Sequence, residues 1–115
     1  MADGRAAVLV VDDESSISSL IQKLLQRSGH TVYCCSTATE ALALQEPYGL
    51  AIVDFTLPVQ DGLSLISELR ARQPELAVIL TSGTAMAPPD TTPPIHYLQK
   101  PFRLAQLLKL TESLL

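Results

Sequence analysis

Apolar residues fall along this chain in two alternating rhythms. Short unbroken runs rich in valine, isoleucine and leucine give way to stretches where apolar positions recur every three or four residues. Ala6 to Val11 (AAVLVV) is the first run, and it suits a strand covered on both faces, as parallel sheets require. Ile17, Leu20, Ile21, Leu24 and Leu25 then keep helical spacing, which predicts an amphipathic helix from Glu14 to about Arg27 with Gly29 as its stop. Thr31 to Cys35 (TVYCC) reads as a short β-branched and aromatic strand. Ser36 or Thr37 caps a second helix. Thr37 stands three residues before Glu40, a capping-box pattern, and this helix carries Ala41, Leu42 and Leu44 and ends near Pro47. Leu50 to Val53, with Asp54, predicts a third strand. Pro58 and Asp61-Gly62 mark a loop, and Leu63, Ile66 and Leu69 define a third helix to about Arg72. Leu76 to Leu80 is a fourth strand ending at Thr81-Ser82-Gly83, and Ile95 to Gln99 a fifth. Pro101 opens a last helix carrying Leu104, Leu107, Leu108 and Leu115.

The order β-α-β-α-β-α-β-loop-β-α predicts an α/β domain over residues 1–115. Its frame is a doubly wound, five-stranded parallel sheet with helices on both sides. A formal charge of −4, from eight basic and twelve acidic residues, argues against non-specific binding to nucleic acid or an anionic membrane. No apolar run approaches the roughly 20 residues that span a bilayer, and the segment from Met1 to Ala7 lacks the form of a signal peptide. A cytoplasmic protein is expected. Cys34 and Cys35 are adjacent in a strand, should point to opposite faces, and read as reduced thiols outside any redox or zinc spacing.

Polar residues gather where such a sheet binds ligands, beyond the carboxyl ends of its strands. Asp12 and Asp13 follow the first strand, Asp54 ends the third, Thr81 the fourth, and Lys100 follows the fifth. Two like charges ~4 Å apart repel by about 4 kcal/mol at an effective dielectric of 20, so three carboxylates in one pocket call for a cation. Oxygen ligands without imidazole or thiolate suit magnesium before zinc, with manganese an alternative. A carboxylate can form an acyl phosphate. Phosphoryl transfer needs charge neutralised on the moving oxygens, which the metal, Lys100, the Thr81 hydroxyl and the Ser82 backbone N–H would supply.

The strings VLVVDDE (Val8 to Glu14), IVDFTLPVQDG (Ile52 to Gly62), ILTSG (Ile79 to Gly83) and YLQKPF (Tyr97 to Phe102) stand in an order that resembles the receiver (CheY-like) domain of two-component response regulators. The resemblance implies a flavodoxin-like fold and a phosphorelay role, possession of which would place Asp54 as phosphoacceptor. It implies magnesium on Asp12, Asp13, Asp54 and the Thr56 carbonyl, phosphate contacts from Thr81 and Lys100, and an aromatic switch at Tyr97 coupled to Thr81. It further implies that Pro58 and Gly62 shape the loop after Asp54, and that the Lys100–Pro101 bond is cis. The implied donor is a histidine kinase or a histidine phosphotransfer protein, and the implied output an unnamed downstream protein. Similar text also occurs in receivers of hybrid kinases. The domain would be a stoichiometric acceptor rather than an enzyme.

One stretch departs from the family. Between Thr81 and Tyr97 receivers usually place a fourth helix, yet Pro88, Pro89, Pro93 and Pro94 forbid a regular helix there. That helix is expected to be missing or rudimentary, which questions output through this face. Each motif alone also has a plain reading: Asp12-Asp13 as a helix cap, Asp61-Gly62 as a turn, Lys100-Pro101 as a helix entry, Thr81 as a strand end, Tyr97 and the last leucine stripe as core, His96 as a surface residue. Convergence at one sheet edge favours a site. Two other functions stay open at this point, a receiver-like interaction module that does not signal by phosphate, and a magnesium-dependent phosphatase with an aspartate nucleophile.

Overall fold

The computed structural model describes residues 7–115. Its elements run β1 (Val8–Val11), α1 (Ser15–Arg27), β2 (Val32–Cys35), α2 (Ala38–Ala43), β3 (Leu50–Asp54), α3 (Gly62–Arg72), β4 (Ala77–Ser82), β5 (Ile95–Gln99) and α4 (Leu104–Leu114). All strands pair in parallel in the order β2-β1-β3-β4-β5. The proposed strand start at Ala6 and the reading of Met1 to Arg5 lie outside the described residues.

Strand alternation divides the core. Leu9, Val11, Ala51, Val53, Val78 and Leu80 face α2 and α3, packing on Ala38, Ala41, Leu65, Ile66 and Leu69. Val8, Val10, Leu50, Ile52 and Ile79 face α1 and α4, packing on Ile21, Leu25 and Leu107. The central strands are covered on both sides, which is why their sequences are apolar throughout rather than alternating. The helix ends follow local chemistry. Thr37 Oγ1 accepts from the Glu40 N–H at 3.1 Å, while the Glu40 carboxylate reaches back to the N–H of Ser36, one residue earlier than a standard capping box would have it. Asp61 caps α3 through the Ser64 N–H at 2.8 Å. Gly29, at φ 91°, turns the chain out of α1 in a conformation that disfavours a side chain.

Three boundaries correct the sequence reading. α2 stops at Ala43, where Leu44 turns extended, well before Pro47. β4 begins at Ala77 and continues through Thr81 and Ser82, because Thr81 and Ser82 pair with Leu98 and Gln99 of β5. Pro101 does not open α4: it follows a cis bond to Lys100 in a turn, and the helix starts at Leu104 with Arg103 as its cap.

No helix forms between β4 and β5, as the prolines require. Residues 83–94 instead form a strap across the end of α3, fastened by Arg70. The Arg70 guanidinium donates to the carbonyls of Leu76 (3.0 and 3.2 Å), Pro93 (2.7 Å) and Pro94 (3.2 Å) and to Thr91 Oγ1 (3.0 Å). A planar fork with five donors suits such a cluster of carbonyls. Met86 packs against the α2/α3 side of the core, and Ile95 is buried there. A second cis bond, Thr92–Pro93, lies in the strap. Cys34 is exposed and Cys35 half-buried, both as free thiols.

Candidate functional site

The carboxyl ends of β1, β3 and β4 open onto one pocket. β1 delivers Asp12 and Asp13 immediately after its last apolar residue. Asp12 is 4% exposed and Asp13 stands at the solvent side. β3 ends in Asp54, 5% exposed, in register with Thr81 of β4. Thr81 and Ser82 are buried beside it. One carboxylate oxygen from each of Asp12, Asp13 and Asp54 lies within 4.8 Å of the others. Hard oxygen donors at that spacing, with no sulfur or imidazole among them, fit a divalent ion such as magnesium.

Lys100 closes the pocket from the β5 side. Its Nζ lies 3.0 Å from Asp12 Oδ2, 3.1 Å from Glu14 Oε1 and 3.4 Å from Asp54 Oδ2. The Lys100 backbone N–H donates to the Ser82 carbonyl at 2.7 Å, so the residue is fixed to the end of β4 at its root. Burial opposes the ammonium charge, but hydrogen bonds to Asp12 and Glu14 and the charges of Asp12 and Asp54 outweigh it and raise the group above the ordinary lysine range. Asp54 moves the other way in charge. Burial, then the neighbouring Asp12 carboxylate, push its carboxyl above the usual range. Lys100 and the Thr56 backbone N–H pull against that shift without cancelling it.

The loop after Asp54 is shaped by contact with the strand. The Phe55 N–H donates to the Thr81 carbonyl and the Gly62 N–H to the Phe55 carbonyl, each at 2.7 Å. A Cβ at Gly62 would drive into the Asp54 carbonyl oxygen and sit 2.9 Å from the Phe55 Cα, so glycine is required for α3 to start this close to β3. Between them Val59 stands at φ 74° with its side chain fully in solvent, and the Gln60 N–H closes on the Pro58 carbonyl at 2.8 Å. This three-residue turn is strained for a β-branched residue.

The structure therefore brings Asp12, Asp13, Asp54, Thr81, Ser82 and Lys100 together at one edge. Tyr97 stands apart from the carboxylates. Its half-buried ring packs against the α2/α3 core, and its hydroxyl donates to the Thr84 carbonyl and, at 3.4 Å, to that of Ser82. It thus ties β5 to the chain just after Thr81. His30 lies away from the pocket, near Glu112 of α4. His96 is a half-buried residue of β5. Sequence reasoning missed Glu14 as a Lys100 partner, although an acid directly after the Asp pair was the available signal. It also missed Arg70, for which no local signal exists.

Comparisons with known proteins agree with this geometry. A family profile described as the response regulator receiver domain matches residues 8–112. Among curated proteins, the sensor kinase CckA of Brucella abortus is 33% identical over 97% of this chain, which covers 13% of that protein. The transcriptional regulatory protein PrrA of Mycobacterium tuberculosis is 32% identical over 94% of this chain and 49% of its own length. The chain thus spans less than half the length of these relatives. Among solved structures, a CheY-like receiver domain protein from Methanospirillum hungatei superposes with a TM-score of 0.84 at 28% identity, over 96% of this chain and 94% of that one. TrrA of Thermotoga maritima, solved in complex with magnesium and beryllium fluoride, does so with 0.84 at 28%, over 96% and 99%.

Proposed function

The chain belongs to the response regulator receiver domain family of two-component systems, and from that premise we propose that residues 1–115 form a unit that accepts a phosphoryl group on Asp54. The observation that carries this reading is the acidic triad within 4.8 Å, faced by one lysine. The proposed donor is a phosphohistidine on a histidine kinase or histidine phosphotransfer protein. An Asp54 carboxylate oxygen attacks phosphorus, the phosphorus–nitrogen bond breaks, and the imidazole nitrogen leaves with the bonding pair. The product is an acyl phosphate on Asp54. The carboxylate needs no base, since it attacks in the ionised form.

Asp12, Asp13, Asp54 and the Thr56 carbonyl would hold magnesium, which supplies charge neutralisation to phosphoryl oxygens when bound. The Lys100 ammonium, the Thr81 hydroxyl and the Ser82 N–H receive the remaining oxygens. Movement of Thr81 toward the new group would be relayed to Tyr97 through Ser82 and Thr84, biasing two conformations of the β4–β5 end. The domain acts stoichiometrically, in the cytoplasm, and its output is a contact with a downstream protein. No helix among the described residues is long and apolar enough to cross a membrane.

The experiment is covalent. With magnesium and acetyl phosphate, intact mass should rise by one phosphoryl group, the adduct should be released by hydroxylamine, and Asp54→Ala should show neither. A second reading, an interaction module that ignores phosphate, draws on the strap that stands in place of the usual helix. Magnesium binding with no mass gain from acetyl phosphate or a phosphohistidine donor would favour it.

A further inference from the structure

We infer that Glu14 is a positioning residue for this reaction: in the unphosphorylated protein it holds the Lys100 ammonium, and it releases that ammonium when a phosphoryl group arrives at Asp54. The inference rests on the reading of Asp54 as phosphoacceptor. An ammonium has three N–H donors. Asp12 Oδ2 at 3.0 Å and Glu14 Oε1 at 3.1 Å take two of them as hydrogen bonds. Asp54 Oδ2, at 3.4 Å, is the most distant of the three carboxylates. Lys100 is thus shared, and the group nearest the chemistry has the weakest hold on it.

The three partners differ in how firmly they are fixed. Asp12 is buried, and its other oxygen accepts the Glu14 N–H at 2.9 Å, so it cannot withdraw. Glu14 caps α1 with its backbone, and its side chain is 59% exposed. An exposed ion pair of this kind is weak. It is therefore the contact that yields when the oxygens of a phosphoryl group, carrying added negative charge, compete for the same donors. The bond to Glu14 is present before reaction and absent after, so it stabilises the ground state alone and slows the transfer.

The test compares Glu14→Ala, Glu14→Asp and the parent in phosphorylation by acetyl phosphate with saturating magnesium, read by intact mass. Aspartate keeps the charge but falls one methylene short of Lys100. Both variants should raise the maximal rate about two- to fivefold, the range set by one exposed ion pair. Only Glu14→Ala should also lower the half-saturating concentration of the anionic donor, because only it removes the charge at the mouth. Binding of magnesium with beryllium fluoride, an anionic phosphoryl mimic measured by calorimetry, should tighten about two- to fivefold in Glu14→Asp and by more in Glu14→Ala, which also loses the charge. Unchanged or lower maximal rates in both variants, with a normally labelled parent, overturn the role of Glu14 and leave Asp54 standing. A parent that takes no phosphoryl group overturns both.

Discussion

Replacing Asp54 with asparagine removes one of three negative charges from the pocket while keeping its shape. The structure gives the size of the effect on the metal-free protein. With carboxylate oxygens up to 4.8 Å apart, Asp12 and Asp13 each repel Asp54 by about 3.5 kcal/mol at an effective dielectric of 20. The Lys100 ammonium at 3.4 Å returns about 5 kcal/mol on the same scale. The balance is unfavourable by about 2 kcal/mol, and solvent at the pocket mouth screens it to about 1–2 kcal/mol. Unfolding entropy of about 2.1 cal/mol/K per residue turns that into a rise of about 4–8 °C in the Tm of Asp54→Asn in chelator. The pH dependence has a definite sign. The Asp54 carboxyl is raised in the folded protein, so the fold binds this proton more tightly than the unfolded chain does. The carboxylate's destabilisation is full above the raised value and vanishes below the ordinary carboxylate value. The gap between variant and parent should therefore close as pH falls through that window. Magnesium should narrow the gap. At tenfold its dissociation constant it adds about 1.4 kcal/mol to the parent and less to the variant, which has lost a ligand. Calorimetric melting in chelator and in magnesium is the assay. A variant less stable than the parent in chelator, or equal stabilisation of both by magnesium, would refute the electrostatic account of the pocket.

Three further outcomes follow from single contacts. Val59→Gly should stabilise the protein by about 0.5–1 kcal/mol in urea unfolding, because relief of the positive φ exceeds the added chain entropy and the exposed side chain gives up no packing; a lower midpoint would show that the turn is not strained. Thr111 is fully buried in α4 with its hydroxyl unpartnered, so Thr111→Val should gain about 1 kcal/mol, and a loss would reveal a bonded water or other partner. Arg70→Ala should cost about 1–3 kcal/mol and open residues 83–94 to limited proteolysis, with Arg70→Lys recovering only part; an unchanged cleavage pattern would mean the strap holds without its staple.

Strand and helix identity was legible in the sequence because burial on both faces and burial on one helical stripe leave different periodicities. The unbroken apolar runs of β1, β3 and β4 set the buried centre of the parallel sheet, and the acids and the lysine at the carboxyl ends of the strands announced the pocket in the sequence alone. The prolines after residue 87 likewise excluded the missing helix, since they remove donors and clash wherever a helix would run. Element ends were less legible. Pro101 has the form of a helix start, but whether the helix begins there depends on the turn that Lys100 makes at the end of β5. Only the tertiary structure decided which carboxylates share Lys100, for Glu14 meets it across 86 positions of chain. It alone placed Arg70 under the strap and the Gly62 backbone against Asp54. Periodicity records how much of a residue is buried and on which face. Which partner it meets is set by the packing of distant segments, and a one-dimensional pattern carries no distance between them.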